Sequence, residues 1–366
     1  MIAMNSKITS IAIVAVALVI VASAAFVLLG DNGGNDDPPV EPHKVVIKDS
    51  LGNDIEIIAP VSAFCTVNTN AAEFFQMLSL DKLVVGADDA TIKTLDTYKD
   101  VTNIGDYKNP VGEKVVSTGS KIVISQSSSR SLSAAAEQAL KDNFGITVLR
   151  LDFYGETMIS DVESLLKIVD SNKAEKAFNE YKTTYDEVVK TVKDKASKTT
   201  GDPSFLFLFT SMSSKVGTYY NENSELGKIT ASIHGHNALT DMNVTSSTVT
   251  SKPSAEAVYD YDKNGDLGYV FIRGGTGDSA AKDYQTFIKT GGGLDFNGLN
   301  VVKNRNVFVI NTDVLSGPRD YIGYVCIAEA FGIDTGLDYK ELVDSFNDKY
   351  GFDMKYDYIM VQFPAA

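Results

Sequence analysis

Between Ser171 and Lys198 the chain runs for 28 residues, SNKAEKAFNEYKTTYDEVVKTVKDKASK, without a glycine or a proline. Phe178, Tyr181, Tyr185, Val188 or Val189, and Val192 recur at alternating steps of three and four. That spacing lays one apolar stripe along a helix and leaves Lys and Glu on its other faces. Ser171 stands where an N-cap belongs, and Gly201-Asp202-Pro203 stops the run. Such a helix is roughly 40 Å long, about the width of a small domain. Segments on both sides read as alternating strands and helices. The stretch therefore admits two architectures: a rigid rod between two α/β lobes, or a long surface helix within one domain.

Length favours the first. A chain of 366 residues exceeds one ordinary core and suits two lobes plus appendages. Its 33 Lys and Arg against 48 Asp and Glu leave a net charge of -15, which opposes nucleic-acid binding and favours a self-repelling surface. Ile11 to Leu29 carries no charge, and nineteen residues at 1.5 Å each match a hydrocarbon layer of roughly 30 Å. Lys7 precedes this run and Asp31, Asp36 and Asp37 follow it, so the remaining chain is expected outside the cell. Ala22-Ser23-Ala24 resembles a signal-peptide cleavage site, but cutting there leaves the apolar stub Phe26 to Leu29; an uncleaved anchor is the preferred reading. The expected divisions are an anchor or signal peptide over 1–29, a polar tether over 30–43, an α/β lobe over 44–165, the linking helix over 166–200 and a second α/β lobe over 201–366. Cys65 and Cys326, the two cysteines, are expected as buried free thiols in a strand and a helix.

Lys44 to Ile58 alternates apolar and polar residues around Leu51-Gly52-Asn53-Asp54, a hairpin pattern. Strands are expected at Ala63 to Val67, Leu83 to Gly86, Lys121 to Ser125 and Thr147 to Asp152. Asn70 is expected to cap a helix, with Glu73 completing a capping box, and Ser131 to Asn143 to form a helix ended by Gly145. Beyond the long helix, Phe205 to Phe209, Tyr269 to Ile272 and Asn306 to Ile310 read as strands, Gly317 to Ala330 and Tyr339 to Tyr350 as helices. Alternating units imply mostly parallel sheets, whose ligands bind at the carboxyl ends of the strands.

Arginine usage is the sharpest clue to chemistry. Five arginines stand against 28 lysines, and three of the five lie in small-residue loops after expected strands: Arg130 in SSSRS, Arg273 in FIRGG and Arg319 in SGPRD. A guanidinium fork grips carboxylate or phosphate, and neighbouring Ser and Gly let a ligand approach the backbone. The bland reading makes each arginine a helix-end cap or the partner of a nearby acid such as Asp320. Tyr154, Tyr219, Tyr220 and Tyr321 lie on or beside the same loops and are candidates to flank a flat or greasy ligand; Asn68 and Asn70 join them. His234 and His236 are two metal ligands where a closed site needs three or four. Asp260-x-Asp262-x-Asn264-Gly265 echoes a calcium loop, yet Phe271 stands where the bidentate Glu belongs, so a polar turn is expected. Asn243-Val244-Thr245 is a glycosylation sequon. No metal site and no resident cofactor are expected, and no nucleophile elbow, phosphate loop or paired catalytic carboxylates are found.

The order of these features resembles a known family. A hairpin and short strands lead to Asn109-Pro110-x-x-Glu113 ahead of KIVIS; the long helix follows, then Pro253-Ser254-x-Glu256 ahead of YVFI, and Val302-Lys303-Asn304-x-x-Val307-Phe308. Over roughly residues 44 to 350 this is similar to the substrate-binding proteins of ABC importers for iron–siderophore complexes, haem and cobalamin. The resemblance implies an α/β fold of two lobes with mostly parallel sheets joined by one long backbone helix, class III periplasmic-binding-protein-like. It implies a monomeric, non-enzymatic receptor that captures a metal complex outside the cell and delivers it to permease transmembrane subunits with their cytoplasmic ATPase. It also implies docking to that permease through Glu113 and Glu256, one per lobe. The absence of a lipid-bearing Cys departs from the family, and Val101 to Lys108 and Leu239 to Ser251 match it loosely.

Several functions therefore compete. A ferric-siderophore-type receptor would use Arg130, Arg273 and Arg319 on acidic groups of its ligand, and a cobalamin or haem receptor is its rival within the class. An anchored cell-surface hydrolase would need a catalytic pair from Asp88, Asp89, Asp152 and Glu156. A surface adhesin would need no cleft.

Overall fold

A computed structural model describes residues 41–128, 131–209, 217–244, 246–275, 298–352 and 359–363. The expected anchor and tether fall outside them up to residue 40, as does Arg130. Among the described residues no helix is long and apolar enough to cross a membrane.

The hairpin forms from β1 (His43–Lys48) and β2 (Asp54–Ala59) as a separate antiparallel pair. Six strands then make the first sheet: β3 (Phe64–Thr66), β4 (Val84–Asp88), β5 (Thr102–Asp106), β6 (Asn109–Pro110), β7 (Ile122–Ser125) and β8 (Thr147–Arg150), in the order β6-β5-β4-β3-β7-β8. All pairings are parallel except β6 on β5 at the edge. The second sheet comprises β9 (Ser204–Phe209), β10 (Thr218–Tyr220), β11 (His236–Asn237), β12 (Thr250–Ser251), β13 (Tyr269–Arg273), β14 (Val307–Ile310) and β15 (Met360–Phe363). Its order is β12-β10-β9-β13-β14-β15, with β11 also on β9. β9, β13, β14 and β11 run parallel, while β10, β12 and β15 are antiparallel additions at the edges.

Successive residues of a strand point to opposite faces, and here both faces are buried. Phe205 and Phe207 of β9 pack with Phe271 and Phe308 in the core shared with the long helix. Leu206 and Leu208 pack with Val270, Ile272, Val307 and Val309 in a separate outer core. That is why FLFLF carries no polar residue. The first sheet divides likewise: Phe64, Ile122, Ile124 and Leu149 face the shared core, while Cys65, Val123 and Val148 face an outer one. Both cysteines are buried and free.

The linking helix spans Asn172–Ala196 without a break, and the Ser171 side chain accepts from the Ala174 N–H at 3.3 Å. Twenty-five residues make about 37 Å. Ala174, Phe178, Tyr181, Val188, Val189, Val192 and Ala196 are its buried face; Lys182–Asp186 and Lys190–Asp194 pair one turn apart on the outer face. The buried cluster that receives it takes residues from both lobes, so the rod is packed into each. The Tyr181 hydroxyl donates to the Pro318 carbonyl at 3.0 Å, fixing the rod to the second lobe.

Local differences from the sequence reading have simple causes. The helix Thr69–Met77 is capped by Asn68, whose side chain accepts from the Asn70 N–H at 3.1 Å, and not by Asn70. Glu73 forms no capping box, because its carboxylate is buried against Arg319. β8 ends at Arg150, where the chain turns to meet the helix Met158–Val169. Asp260 and Asp262 lie in the last turns of the helix Ala255–Lys263, and only Asn264-Gly265 forms the polar turn.

Candidate functional site at the facing strand ends

On the first lobe the loop after β8 is held by one carboxylate. Asp161, 1 % exposed on the helix Met158–Val169, accepts from the Asp152 and Phe153 N–H groups, the Thr157 hydroxyl and the Ser50 hydroxyl, each at 2.9 Å. Phe153 is fully buried and has a φ of +55°, a conformation costly to a residue with a Cβ. The clamp and the buried ring together fix that conformation, and the next residue, Tyr154, is half-buried. Asp152 is in turn held by the Ser127 N–H and hydroxyl, both at 2.6 Å. Asn68 donates to the Leu151 and Asp152 carbonyls at 2.9 and 3.0 Å, tying the loops after β3 and β8 together.

On the second lobe Arg273 ends β13. Its Nη1 donates to the Tyr220 hydroxyl at 2.8 Å and its Nε to the Thr312 hydroxyl at 3.2 Å, so strands β10 and β13 and the loop after β14 converge on one half-buried guanidinium. The lobes feel each other electrostatically here. Burial, and after it the Asp152 carboxylate, push the Tyr154 phenol up to about 12, while Arg273 of the opposite lobe pulls it down. Direct bridges flank this point. Asn70 Nδ2 donates to Ser316 Oγ at 3.5 Å, and Lys228 pairs with Glu156 at 2.6 Å. Gly155 lies so close to Glu225 that a Cβ would stand 2.6 Å from its carboxylate. The facing groups thus offer a cation, a phenol and amide and hydroxyl groups: the chemistry that grips an acidic, partly apolar small molecule.

The other candidates lie elsewhere. Arg319 is 4 % exposed; it donates to Glu73 Oε1 at 2.7 Å and to the Asp313 carbonyl at 2.8 Å, and its guanidinium lies over the Phe346 and Phe352 rings. It fastens the first-lobe helix to the second lobe from inside. Tyr219 is buried in the outer core, and Tyr321 packs against Tyr181 and Tyr185. The four candidate catalytic carboxylates are each engaged separately: Asp88 caps the helix Asp89–Thr94, Asp89 accepts from Asn103, Asp152 from Ser127, and Glu156 pairs with Lys228 of the other lobe.

His234 lies 3.4 Å from Asp202, and His236 lies 2.9 Å from Asp241, which also accepts from Tyr261. Among the described residues no group of three or more His, Cys, Asp or Glu can hold a metal ion. Asp262 accepts from the Asn300 and Val301 N–H groups at the start of the helix Asn300–Lys303. A hollow of about 550 Å³ lies on the flank of the first lobe beside Leu51, Leu132, Val148 and Arg150. Arg150 there is engaged by Glu137 and by the Gln126 and Leu132 carbonyls.

Glu113 and Glu256 are both exposed, each as the second residue of its helix, Gly112–Ser117 and Ala255–Lys263. Asp161, Ser127 and Thr312 were not singled out from the sequence. Asp161 had one signal there: it lies on the inward stripe of an amphipathic segment, an uncommon place for a carboxylate.

No protein-family model matches the chain, and no curated protein matches it by sequence. Solved structures do. The TroA-like periplasmic binding protein FepB from Veillonella parvula superposes with a TM-score of 0.64 at 16 % identity, over 87 % of this chain and 99 % of its own. The periplasmic heme-binding protein RhuT from Roseiflexus sp. RS-1 gives 0.57 at 17 %, over 75 % and 99 %. The periplasmic vitamin B12 binding protein BtuF of Vibrio cholerae gives 0.55 at 13 %, over 76 % and 99 %. Two α/β lobes on one unbroken helix, aligned over nearly the whole length of each of these proteins, give the chain the fold of the TroA-like periplasmic binding proteins.

Proposed function

We propose that the protein is an extracytoplasmic substrate-binding receptor of an ABC importer. It takes a ferric-siderophore-type iron complex between its lobes and delivers it to permease subunits driven by a cytoplasmic ATPase. The observation that carries this reading is the half-buried Arg273 guanidinium at the end of β13, held by the Tyr220 and Thr312 hydroxyls on one of two lobes joined by the Asn172–Ala196 rod. A guanidinium set among phenols meets the acidic groups and the greasy body of such a complex. A continuous helix restricts the lobes to small closure motions, which suits capture and release better than deep clamping. Glu113 and Glu256 serve as docking carboxylates, and the chain before residue 41 tethers the receptor to the membrane. Cobalamin and haem are the rival cargoes, in keeping with the ligands named for two of the similar structures.

The test is a melting series on residues 41–366 with ferric siderophores, haem and cobalamin. A ligand at a hundred times its Kd stabilises by about 2.7 kcal/mol, a shift of a few degrees for a chain this size. One of the three is expected to give that shift, and Arg273→Ala to remove it. Binding of none at micromolar concentration, with turnover in an esterase or phosphatase panel, would overturn the reading.

A further inference from the structure

Seven large apolar side chains are exposed among the described residues, and five of them stand near the two glutamates just assigned to docking. Tyr107, Val111 and Val116 surround Glu113 in sequence; Val249 and Tyr259 bracket Glu256. The two settings share one local plan. In each lobe a two-residue strand, β6 or β12, lies antiparallel at the edge of its sheet. A helix follows within four residues, with the glutamate second in it and an exposed apolar residue three positions later, Val116 or Tyr259. Residues three apart share a helix face, so each lobe presents a carboxylate and an apolar side chain side by side.

Nothing in the fold of either lobe needs those side chains in water. Val115 and Val258 of the same helices are buried and do the packing. Lys114 follows Glu113 directly, and Lys252 and Lys263 flank Glu256 and Asp260 in sequence, so both segments carry mixed charge. What sets the patches apart from the remaining surface is the apolar member, repeated in both lobes. Exposed apolar groups gathered with polar neighbours mark a protein contact.

We propose that Val116 with Tyr107 and Val111, and Tyr259 with Val249, are apolar anchors that seat the two lobes on the permease. The occupant is a pair of like permease surfaces, each offering a basic side chain for the glutamate and an apolar pocket beside it. This rests on the receptor reading and adds to it the residues that supply contact area once the charges have met.

The experiment measures initial uptake in the source cell, with each variant replacing the native copy and with whichever of ferric siderophore, haem or cobalamin stabilises the protein. Val116→Ser with Tyr259→Ser is expected to lower the uptake rate about tenfold, as loss of central interface anchors does, with ligand Kd and melting temperature unchanged. Val46→Ser with Leu51→Ser, at the two exposed apolar residues away from the patches, is expected to leave uptake as it was. Uptake unaffected by V116S/Y259S, while Glu113→Ala with Glu256→Ala abolishes it, overturns the anchors and keeps the receptor reading. Uptake unaffected by either pair overturns docking at these faces altogether. Weakened ligand binding in V116S/Y259S, or an equal fall with V46S/L51S, also overturns the proposal.

Discussion

Asp320, 2 % exposed, opens the helix Asp320–Ala330, and its Oδ1 has no hydrogen-bond partner among the described residues. The Tyr185 hydroxyl of the linking helix faces it, and Glu225, packed against Gly155 of the first lobe, adds negative field. Burial, and then Glu225, raise its pKa from 3.8 to about 8, so the group is protonated in the folded protein at neutral pH and ionised in the unfolded chain. The folded value lies above the unfolded one. Its stabilising contribution is therefore complete below pH 3.8, declines as pH rises and is lost above about 8. The steepest loss one such group can cause is about 1.4 kcal/mol per pH unit. Asp320→Asn keeps the shape and cannot ionise. Urea unfolding of both proteins at pH 5, 6, 7 and 8 should show the Asn variant gaining on the parent by about 2.7 kcal/mol between pH 5 and 7. The other carboxyls raised by burial, such as Glu73 and Asp88, titrate alike in both proteins and cancel in the difference. A difference constant to within about 0.5 kcal/mol across that range would refute the reasoning.

Three further outcomes follow from the same contacts. Arg319→Met strands the Glu73 carboxylate in the interior and should cost about 3–5 kcal/mol in urea unfolding, with part regained on adding Glu73→Gln. Arg273→Ala removes a half-buried guanidinium bonded to two hydroxyls; it should weaken ligand binding at least about tenfold, measured by titration, while the melting temperature moves only a few degrees. Ser171→Ala deletes the N-cap of the linking helix and should cost about 1 kcal/mol in the same urea assay.

How far each feature could be read from the sequence follows from how local its cause is. The linking helix was legible because its stripe, its cap and its stop all lie inside one stretch: Ser171 to Lys198 meets its ends to within two residues, whereas the wider bounds 166–200 take in the end of the helix Met158–Val169. β9 and β13 were legible because strands buried on both faces must be apolar throughout. β5 and β6 were not read as strands: Thr102–Asp106 has only Ile104 buried, so no alternation announces it. The site was the least legible part, and its arginines explain why. In the sequence Arg273 in FIRGG and Arg319 in SGPRD have neighbours of the same kind, and by residue type they are interchangeable. What separates them is Glu73, 246 positions from Arg319 in the chain and 2.7 Å from it in the fold. Burying one guanidinium against that carboxylate turns it into a fastener between the lobes. Arg273 instead bonds the Tyr220 and Thr312 hydroxyls of its own lobe. Which of two such arginines becomes a fastener is thus decided by what the distant half of the molecule brings to it, which no local pattern encodes.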